Sequence, residues 1–316
     1  MIVAYIDAHK ARFGVEPIRA VLSEHGMPIA PSTYYLHQAR AAAGCPVSAT
    51  ALDEAHLVNT VVDLHRANWG VYGVRKMWHA LRRAGLVIGR DKTARLMRTA
   101  GLTGAVRGRH RTTTTVREAS AARHPDLVRR AWSAPTGPDQ LRVADFTYVW
   151  TLTGFVYVAF VTDVFSRRIL GWKVSSSRQT TLVHAVLQQA LATRQRADSR
   201  FTATGLVHHS DAGSQYTSLA FTEALIEAGI AGSIGTVGDA LDNALMESTI
   251  GLFKTELIDV QHRTWTSRSD VEWQTARWIH WYNGDRLHSS IGHLPPIEFE
   301  HLHQQAKSAN ADPAVA

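Results

Sequence analysis

Three acidic residues stand where strand and helix patterns would bring carboxylates together. Asp145 lies within a β-branched and aromatic stretch, Asp211 follows a short apolar strand pattern, and Glu247 lies in a helical pattern. In α/β folds chemistry collects at strand ends, and clustered carboxylate oxygens suit Mg²⁺ or Mn²⁺. Two such ions can activate the attacking oxygen and stabilise the leaving oxygen in phosphodiester chemistry. We therefore predict that these three residues form a metal-dependent catalytic site.

Neighbouring polar residues have simpler interpretations. Asp163 ends a strand pattern and Asp239 falls in a turn, while Asp242 is suited to cap a helix. His208 and His209 could be metal ligands or a general base, but one of them must face the buried side of its strand and carboxylates suffice for Mg²⁺. A structural role is therefore favoured for both histidines. The sequence contains no Gly-x-Ser-x-Gly motif of a serine hydrolase.

A helical face links the third carboxylate to a cation. Asn243, Glu247, Gly251 and Lys254 recur at spacings of four, four and three, so an α-helix places them on one face. Lys254 would lie about 10.5 Å along the axis from Glu247. We predict that Lys254 and Asn243 contact DNA and that Gly251 leaves room for its backbone. The alternative is an exposed lysine on an amphipathic helix.

The pattern of strands and helices around these residues predicts one α/β domain. Strand patterns cover residues 142–150, 155–165, 168–175, 206–209 and 231–234. Helical patterns cover about 181–193, 219–227 and 242–257. The order βββαβαβα predicts a mixed five-stranded sheet flanked by helices.

The charge is divided unevenly along the chain. Residues 1–130 hold 20 Lys and Arg against 9 Asp and Glu, a net +11, whereas residues 131–316 hold 14 against 18, a net −4. A basic front half favours a polyanionic partner, although a solvated basic face is the alternative. The 45% hydrophobic content excludes general disorder, and the single Cys45 excludes an internal disulfide framework or a Cys-based zinc site. Without a signal-peptide pattern or a long apolar run, we expect a cytoplasmic protein with no membrane association.

Two segments of the front half share a helix-turn-helix layout. In residues 17–38 and 73–100 a glycine, Gly26 or Gly85, ends the first helix, and Ile29 corresponds to Ile88. Four basic residues crowd the second helix of the later segment, which makes it the better candidate for DNA binding. They are Arg90, Lys92, Arg95 and Arg98. A module that packs on protein is the alternative, and is favoured for the earlier segment.

The remaining segments complete the predicted domain organisation. Residues 103–124 show no periodicity, and Arg107, Arg109 and Arg111 make them either a basic arm that follows phosphates or a soluble linker. A Trp-rich helix at 270–282 should pack on protein, and Arg286 after it is a candidate DNA contact. The expected domains are two helical units, a basic linker, a catalytic core and a helical extension, at residues 1–45, 50–102, 103–134, 135–260 and 261–316.

Several motifs resemble one known family over nearly the whole chain. The chain looks like the OrfB product of insertion-sequence transposases of family three, which have an RNase H-like integrase core. The motifs that carry the resemblance are Val143-Ala-Asp-Phe-Thr-Tyr148, Asp163-Val-Phe-Ser-Arg167, His208-His-Ser-Asp-Ala-Gly-Ser-Gln-Tyr216, Asp242-Asn-Ala-Leu-Met-Glu247 and Trp281-Tyr-Asn283. The chain departs from the family at Arg142, where tryptophan is usual, and at Ala212, where a basic residue is usual.

The resemblance implies a function and a set of partners. The DDE triad of the family falls on Asp145, Asp211 and Glu247, with Lys254 as its downstream lysine. It implies 3′-end cleavage and strand transfer on double-stranded DNA with Mg²⁺, or Mn²⁺ in its place, and with two ions. It also implies an upstream reading-frame product (OrfA) as partner or fusion, a homo-oligomer on DNA, and a place at the bacterial nucleoid. The alternatives are a non-catalytic DNA-binding regulator and an RNase H-like nuclease that cuts without joining.

Overall fold

Amphipathic helices form the first part of the protein in the computed structural model, which describes residues 1–44, 47–106, 124–129, 131–235, 244–260 and 263–311. The chain divides into two units, Met1–Asp63 and Leu64–Ala316. The first unit contains α1 (Ile2–Phe13), α2 (Val15–Glu24), α3 (Pro31–Ala42) and the start of α4 (Ala49–Ala67). Its small core consists of Ile6, Ile18, Leu22 and Tyr34. Among the described helices, none is both long and apolar enough to cross a membrane.

The predicted helix-turn-helix repeat is confirmed by matching local geometry. In the second unit, α5 (Val74–Arg83) and α6 (Arg90–Thr99) correspond to α2 and α3 at an offset of 59 residues. Gly26 and Gly85 follow the first helix of each pair with φ of 75° and 83°, a conformation in which glycine is favoured. The backbone therefore ends both helices in the same way.

A side-chain hydrogen bond is also repeated in the two pairs. Arg19 Nε donates to the carbonyl oxygen of Ile29 at 2.7 Å. At the same offset, Trp78 Nε1 donates to the carbonyl oxygen of Ile88 at 2.9 Å. Each bond ties the first helix to the turn that precedes the second helix, so different side chains stabilise the same connection.

The predicted mixed five-stranded sheet is confirmed in the second unit. Its strands are β1 (Leu141–Thr151), β2 (Gly154–Asp163), β3 (Ile169–Ser175), β4 (Val207–Ser210) and β5 (Ala231–Ile234), in the order β3-β2-β1-β4-β5. β2 pairs antiparallel with β1 and with β3, whereas β4 pairs parallel with β1 and with β5. The long central strand β1 therefore joins the antiparallel hairpin to the parallel half.

Helices cover both faces of the sheet. α7 (Thr180–Ala197) and α8 (Leu219–Glu227) pack on one face, where Ala159 and Val161 of β2 belong to their core. Phe160 stands between these two residues in the strand, so its side chain points to the other face. Its ring centroid lies 5.1 Å from that of Phe253. That face carries α9 (Ala244–Phe253) and α10 (Arg268–Gly284). Trp278 of α10 is fully buried there.

The late helix differs from its prediction. A single α-helix was expected to continue to about residue 257, but the α-helical hydrogen bonding ends at Phe253 and a π-helix spans Lys254–Asp259. The wider turn begins at the predicted DNA-contacting lysine. A periodicity of 3.6 residues in the sequence does not reveal such a change, because the buried residues continue through it.

A buried ionic network fixes the C-terminal helix α11 (Pro296–Ala311), which follows a short 3₁₀ turn at Ser289–Ile291, to the sheet. Arg194 of α7 donates to Glu300 at 2.6 Å and to Asp139 at 2.9 Å. Asp163 accepts the backbone N–H groups of Ser166 at 2.9 Å and of Asp139 at 2.8 Å. These bonds confirm the structural interpretation of Asp163.

The packing of α7 on β3 gives a stability prediction. A Cβ atom at Gly171 would lie 2.2 Å from the carbonyl oxygen of Val186, so Gly171→Ala forces the helix away from the strand. We expect a loss of about 1–3 kcal/mol in the free energy of unfolding, measured by urea denaturation. Gly284→Ala is the matched control, because a Cβ there meets no atom within 4 Å. Equal stability of both variants would contradict this packing.

Candidate active site

The register of two parallel strands brings the first two predicted carboxylates together. β1 and β4 pair up to Ala144 opposite Ser210, so the next residues, Asp145 and Asp211, stand level on neighbouring strands. Level residues of parallel strands point to the same face, and the strands lie about 4.8 Å apart. Asp145 is also opposite Phe160 of β2, so its side chain faces the α9 side of the sheet.

The electrostatics of this pair reflect burial and like charge. Burial raises the pKa of the Asp145 carboxyl well above its ordinary value, and the negative charges of Asp211 and Glu247 raise it further. The N–H of Phe146, donated to Asp145 Oδ1 at 2.7 Å, opposes this shift. Burial likewise raises the pKa of Asp211. Among the described residues, neither aspartate forms an ion pair that would offset the repulsion.

Glu247 lies in the first turn of α9 and is exposed. Its charge acts on Asp145, which shows that it lies near the aspartate pair. Within the described parts of the chain, however, no three His, Cys, Asp or Glu side chains are close enough together to hold one metal ion. The structure therefore shows an aspartate pair with a nearby third carboxylate, not a closed set of three ligands.

The loop after β4 holds Asp211 by a glycine that sequence reasoning overlooked. Asp211 Oδ1 accepts the N–H of Gly213 at 3.1 Å. A Cβ at Gly213 would approach Asp211 Oδ1 to 3.0 Å and Gln215 Oε1 to 3.2 Å. The motif at 208–216 contained this signal, because a glycine two residues after a carboxylate permits such a close turn.

Tyr216 was also overlooked. Its buried ring packs on Phe146 and Phe221, with centroids 6.4 and 5.6 Å away. Burial raises the pKa of its hydroxyl, and the charges of Asp145 and Asp211 raise it further. The phenol therefore remains protonated at neutral pH, and its ring belongs to the core on the α7 and α8 side of the sheet.

Lys254 is the first residue of the π-helix, and its side chain reaches Tyr148 of β1. Its Nζ lies 4.8 Å from the centroid of the Tyr148 ring, a cation–π contact. Burial lowers the pKa of this lysine, and the charge of Asp259 partly offsets the shift. A half-buried cation thus follows directly after the helix of Glu247, but in π-helical backbone rather than in the single α-helix that was predicted to place both residues on one face.

Arg286 is not available to DNA, and its predicted role is corrected. The side chain is 3% exposed, and its Nε and Nη2 bind Glu256 of the π-helix at 2.8 and 2.5 Å. The neighbouring N–H of Leu287 donates to the hydroxyl of Tyr72 at 2.7 Å. Arg286 therefore anchors the π-helix inside the protein. An arginine near the end of a helix pattern is expected on the surface. Its burial depends on Glu256, a partner that the local sequence does not indicate.

The structure describes some of the other predicted DNA contacts and not the rest. The four basic side chains of α6 are exposed, namely Arg90, Lys92, Arg95 and Arg98. Thr93, Leu96 and Met97 form the buried side of the same helix. α6 therefore turns a basic face outward. Asn243 and the arm residues Arg107, Arg109 and Arg111 lie outside the described residues.

Both histidines of β4 have structural surroundings. His208 is 1% exposed, and burial together with the charge of Arg142 lowers its pKa to about 3. His209 Nδ1 is 2.9 Å from the hydroxyl of Ser233 on β5. Arg142, at the position where the family usually has tryptophan, is fully buried and donates to Asp139 at 2.6 Å. The departure is thus accommodated by an ion pair below the site.

Family models cover most of the chain. Residues 135–240 match the integrase core domain, and residues 228–296 match a second integrase core domain model. Residues 51–110 match an HTH-like domain, which includes α5 and α6. The first match contains both aspartates and the second contains Glu247 and Lys254.

Similar proteins carry transposase names. The chain is 47% identical over 274 residues to the "Putative transposase for insertion sequence element IS986/IS6110" of Mycobacterium tuberculosis, covering 87% of this chain and 95% of that protein. It is 45% identical over 295 residues to the transposase for insertion sequence element IS629 of Shigella sonnei, covering 93% and 94%.

The solved structures that match the chain are more distant. The magnesium complex of the HTLV-2 integrase catalytic core is 15% identical, with a TM-score of 0.38 over 52% of this chain and 99% of that one. A chain of the simian T-cell lymphotropic virus intasome is 14% identical, with a TM-score of 0.43 over 76% and 74%. The extent and identity of the transposase relatives, together with the domain matches, show that the chain belongs to the OrfB-type insertion-sequence transposases of family three, with an HTH-like domain and an integrase core.

Proposed function

We propose that this transposase cuts the 3′ ends of its element and joins them to target DNA at the pair formed by Asp145 and Asp211, with Glu247 as the third carboxylate. The observation that carries the proposal is the level placement of the two aspartates, where burial and then the like charge of Asp211 raise the pKa of Asp145. Carboxyl groups with strongly raised pKa values cluster at functional sites. The integrase core supports polynucleotidyl transfer in general terms.

The two aspartates fit a hard divalent cation. They offer oxygen ligands from one sheet face and have no ion-pair partner in the described chain, so a cation would relieve their repulsion. We propose Mg²⁺, replaceable by Mn²⁺, and two ions in the complete site. When bound, the metal supplies charge neutralisation and activation of the attacking oxygen. Glu247, whose charge already reaches Asp145, supplies the third carboxylate.

The chain's own residues hold the carboxylates in place and contact the DNA. Gly213 N–H and Phe146 N–H each donate to one aspartate oxygen and hold the carboxylates in place. Lys254 offers a cation near the reacting phosphate. In the first step water adds to the phosphorus and the 3′ oxygen leaves as a hydroxyl. In the second step that hydroxyl attacks a target phosphodiester, and the target's own 3′ oxygen leaves.

The exposed basic face of α6, and the arm with Arg107, Arg109 and Arg111, are proposed to hold duplex DNA by its phosphates. Because the proposed substrate is bacterial DNA, we propose that the protein lies at the nucleoid. Pairing two element ends calls for at least two protomers, and the OrfA product is the proposed partner for recognising terminal repeats.

Removal of any one carboxylate is the direct test. Asp145→Asn, Asp211→Asn and Glu247→Gln should each lower the rate of 3′-end cleavage by about 100-fold or more, because each loses several kcal/mol of charge stabilisation. Cleavage is measured on labelled element ends with Mg²⁺, and DNA binding by gel shift should survive. Asp198→Asn, an exposed carboxylate at the end of α7, is the matched control. Retained cleavage in a variant would remove that residue from the site. Cutting without joining would instead indicate a nuclease, and binding alone a regulator.

The burial of Asp145 and the like charges near it predict that stability depends on pH and on metal. Since the pKa of Asp145 is raised in the folded state, stability should fall as pH rises from the ordinary aspartate range through that raised pKa. In a chelator at neutral pH, Asp145→Asn should therefore melt at a higher temperature than the wild type, and its advantage should shrink at lower pH. Mg²⁺ should stabilise the wild type more than the variant. An advantage that does not vary with pH would contradict a raised pKa of Asp145.

Salt dependence tests the basic face of α6. Replacing Arg90, Lys92 and Arg98 with alanine should reduce the slope of log affinity against log salt by nearly one for each lost phosphate contact. Duplex binding is measured by fluorescence anisotropy over a range of KCl concentrations. The pair Arg196→Ala and Arg200→Ala, exposed on the catalytic core, serves as control. An unchanged slope in the α6 variant would assign the α6 face to solvent.

A further inference from the structure

Three aromatic side chains form an exposed strip on the hairpin that carries Asp145. The Trp150 ring is 60% exposed and the Phe155 ring 50% exposed, and their centroids lie 4.7 Å apart. Tyr148 packs edge-on against Phe155 at 5.3 Å. Trp150 stands opposite Phe155 in the β1–β2 register and two residues from Tyr148, so all three lie on one face. We call these three residues the hairpin patch.

Lys254 connects the hairpin patch to the segment that carries Glu247. Its Nζ lies 4.8 Å from the centroid of the Tyr148 ring at one end of the patch. Trp150 is five residues beyond Asp145 on the same strand, a distance of about 16 Å, and this odd spacing places its ring on the face of the sheet opposite to the Asp145 side chain. Among the described residues Lys254 forms no ion pair, so its charge is open to an anion. The exposed rings and this cation therefore form one surface beside the active site rather than a part of it.

This combination fits one kind of partner. Rings in a row beside a cation form the platform on which unpaired nucleic acid bases stack while a phosphate pairs with the cation. A duplex buries its base faces and cannot use such rings. Indole and phenyl groups on an exposed strand also contribute no packing to the interior, so burial within the fold does not explain them.

We propose that the hairpin patch stacks on unpaired bases of a DNA strand whose phosphate binds Lys254. The proposal rests on the proposed function for the role of Lys254 as a DNA contact. It adds a surface for single-stranded DNA, with Trp150 and Phe155 as the stacking rings and Lys254 as the phosphate contact. Separation of the DNA strands beside Lys254 would then be stabilised by the protein.

The test compares single-stranded and duplex probes. Binding of a fluorescein-labelled 12-nucleotide oligothymidylate and of a mixed-sequence duplex of the same length is measured by anisotropy, with the full chain carrying Asp145→Asn so that no cleavage occurs. Trp150→Ala and Trp150→Thr should each weaken oligothymidylate binding about tenfold, the loss of one stacked base. Trp150→Phe should retain most of the affinity, and duplex binding should not change.

The matched control is Trp273→Ala, since Trp273 is 65% exposed on α10 and is not part of the hairpin. It should leave both affinities unchanged. The proposal is overturned if the full chain does not bind oligothymidylate, if Trp150 and Trp273 variants lose affinity equally, or if duplex binding falls in parallel. A lower molar mass of the Trp150 variants in solution would overturn it too, because the patch would then join two copies. Binding is read without cleavage, so it fails or succeeds independently of the catalytic proposal.

Discussion

Two carboxylates on neighbouring parallel strands repel one another, and the register of β1 on β4 holds Asp145 and Asp211 in that position. A shift of one residue would turn one of them to the opposite face of the sheet. Both side chains are partly buried, and partial burial strengthens the repulsion because water screens the charges less than at an open surface. The repulsion within the pair destabilises the fold, and a bound cation would relieve it. The surrounding structure must therefore hold the two strands in register.

Two buried ionic groups provide that support from opposite sides. Arg194, Glu300 and Asp139 tie α7 and α11 to the base of β1, well below the carboxylates. Arg286 binds Glu256 and fixes the π-helix, which carries Lys254 next to α9. Breaking one partner of a buried pair leaves an uncompensated charge and is strongly destabilising. The two aspartates that repel one another are therefore held between buried ion pairs, and their own carboxylates remain available for chemistry.

Much of the fold followed from patterning. The five strands and their order βββαβαβα with the helices were predictable because hydrophobic periodicity decides them. The glycines at 26 and 85 marked a repeat that the structure confirms through different side chains, Arg19 and Trp78. The π-helix and the burial of Arg286 could not be predicted, since both depend on partners distant in sequence. The level pairing of the aspartates likewise depends on strand register, which spacing along the chain does not specify. The role of α11 was missed because Glu300 pairs with Arg194, a partner distant in sequence.

The most direct test of the central claim is anomalous diffraction from crystals of the protein grown with Mn²⁺. The structure predicts an anomalous peak bounded by the carboxylate oxygens of Asp145 and Asp211, with both side chains on the α9 face of the sheet. The peak should be absent in Asp145→Asn crystals of the same form. A peak elsewhere in the wild type, or aspartates that point to opposite faces, would contradict the account.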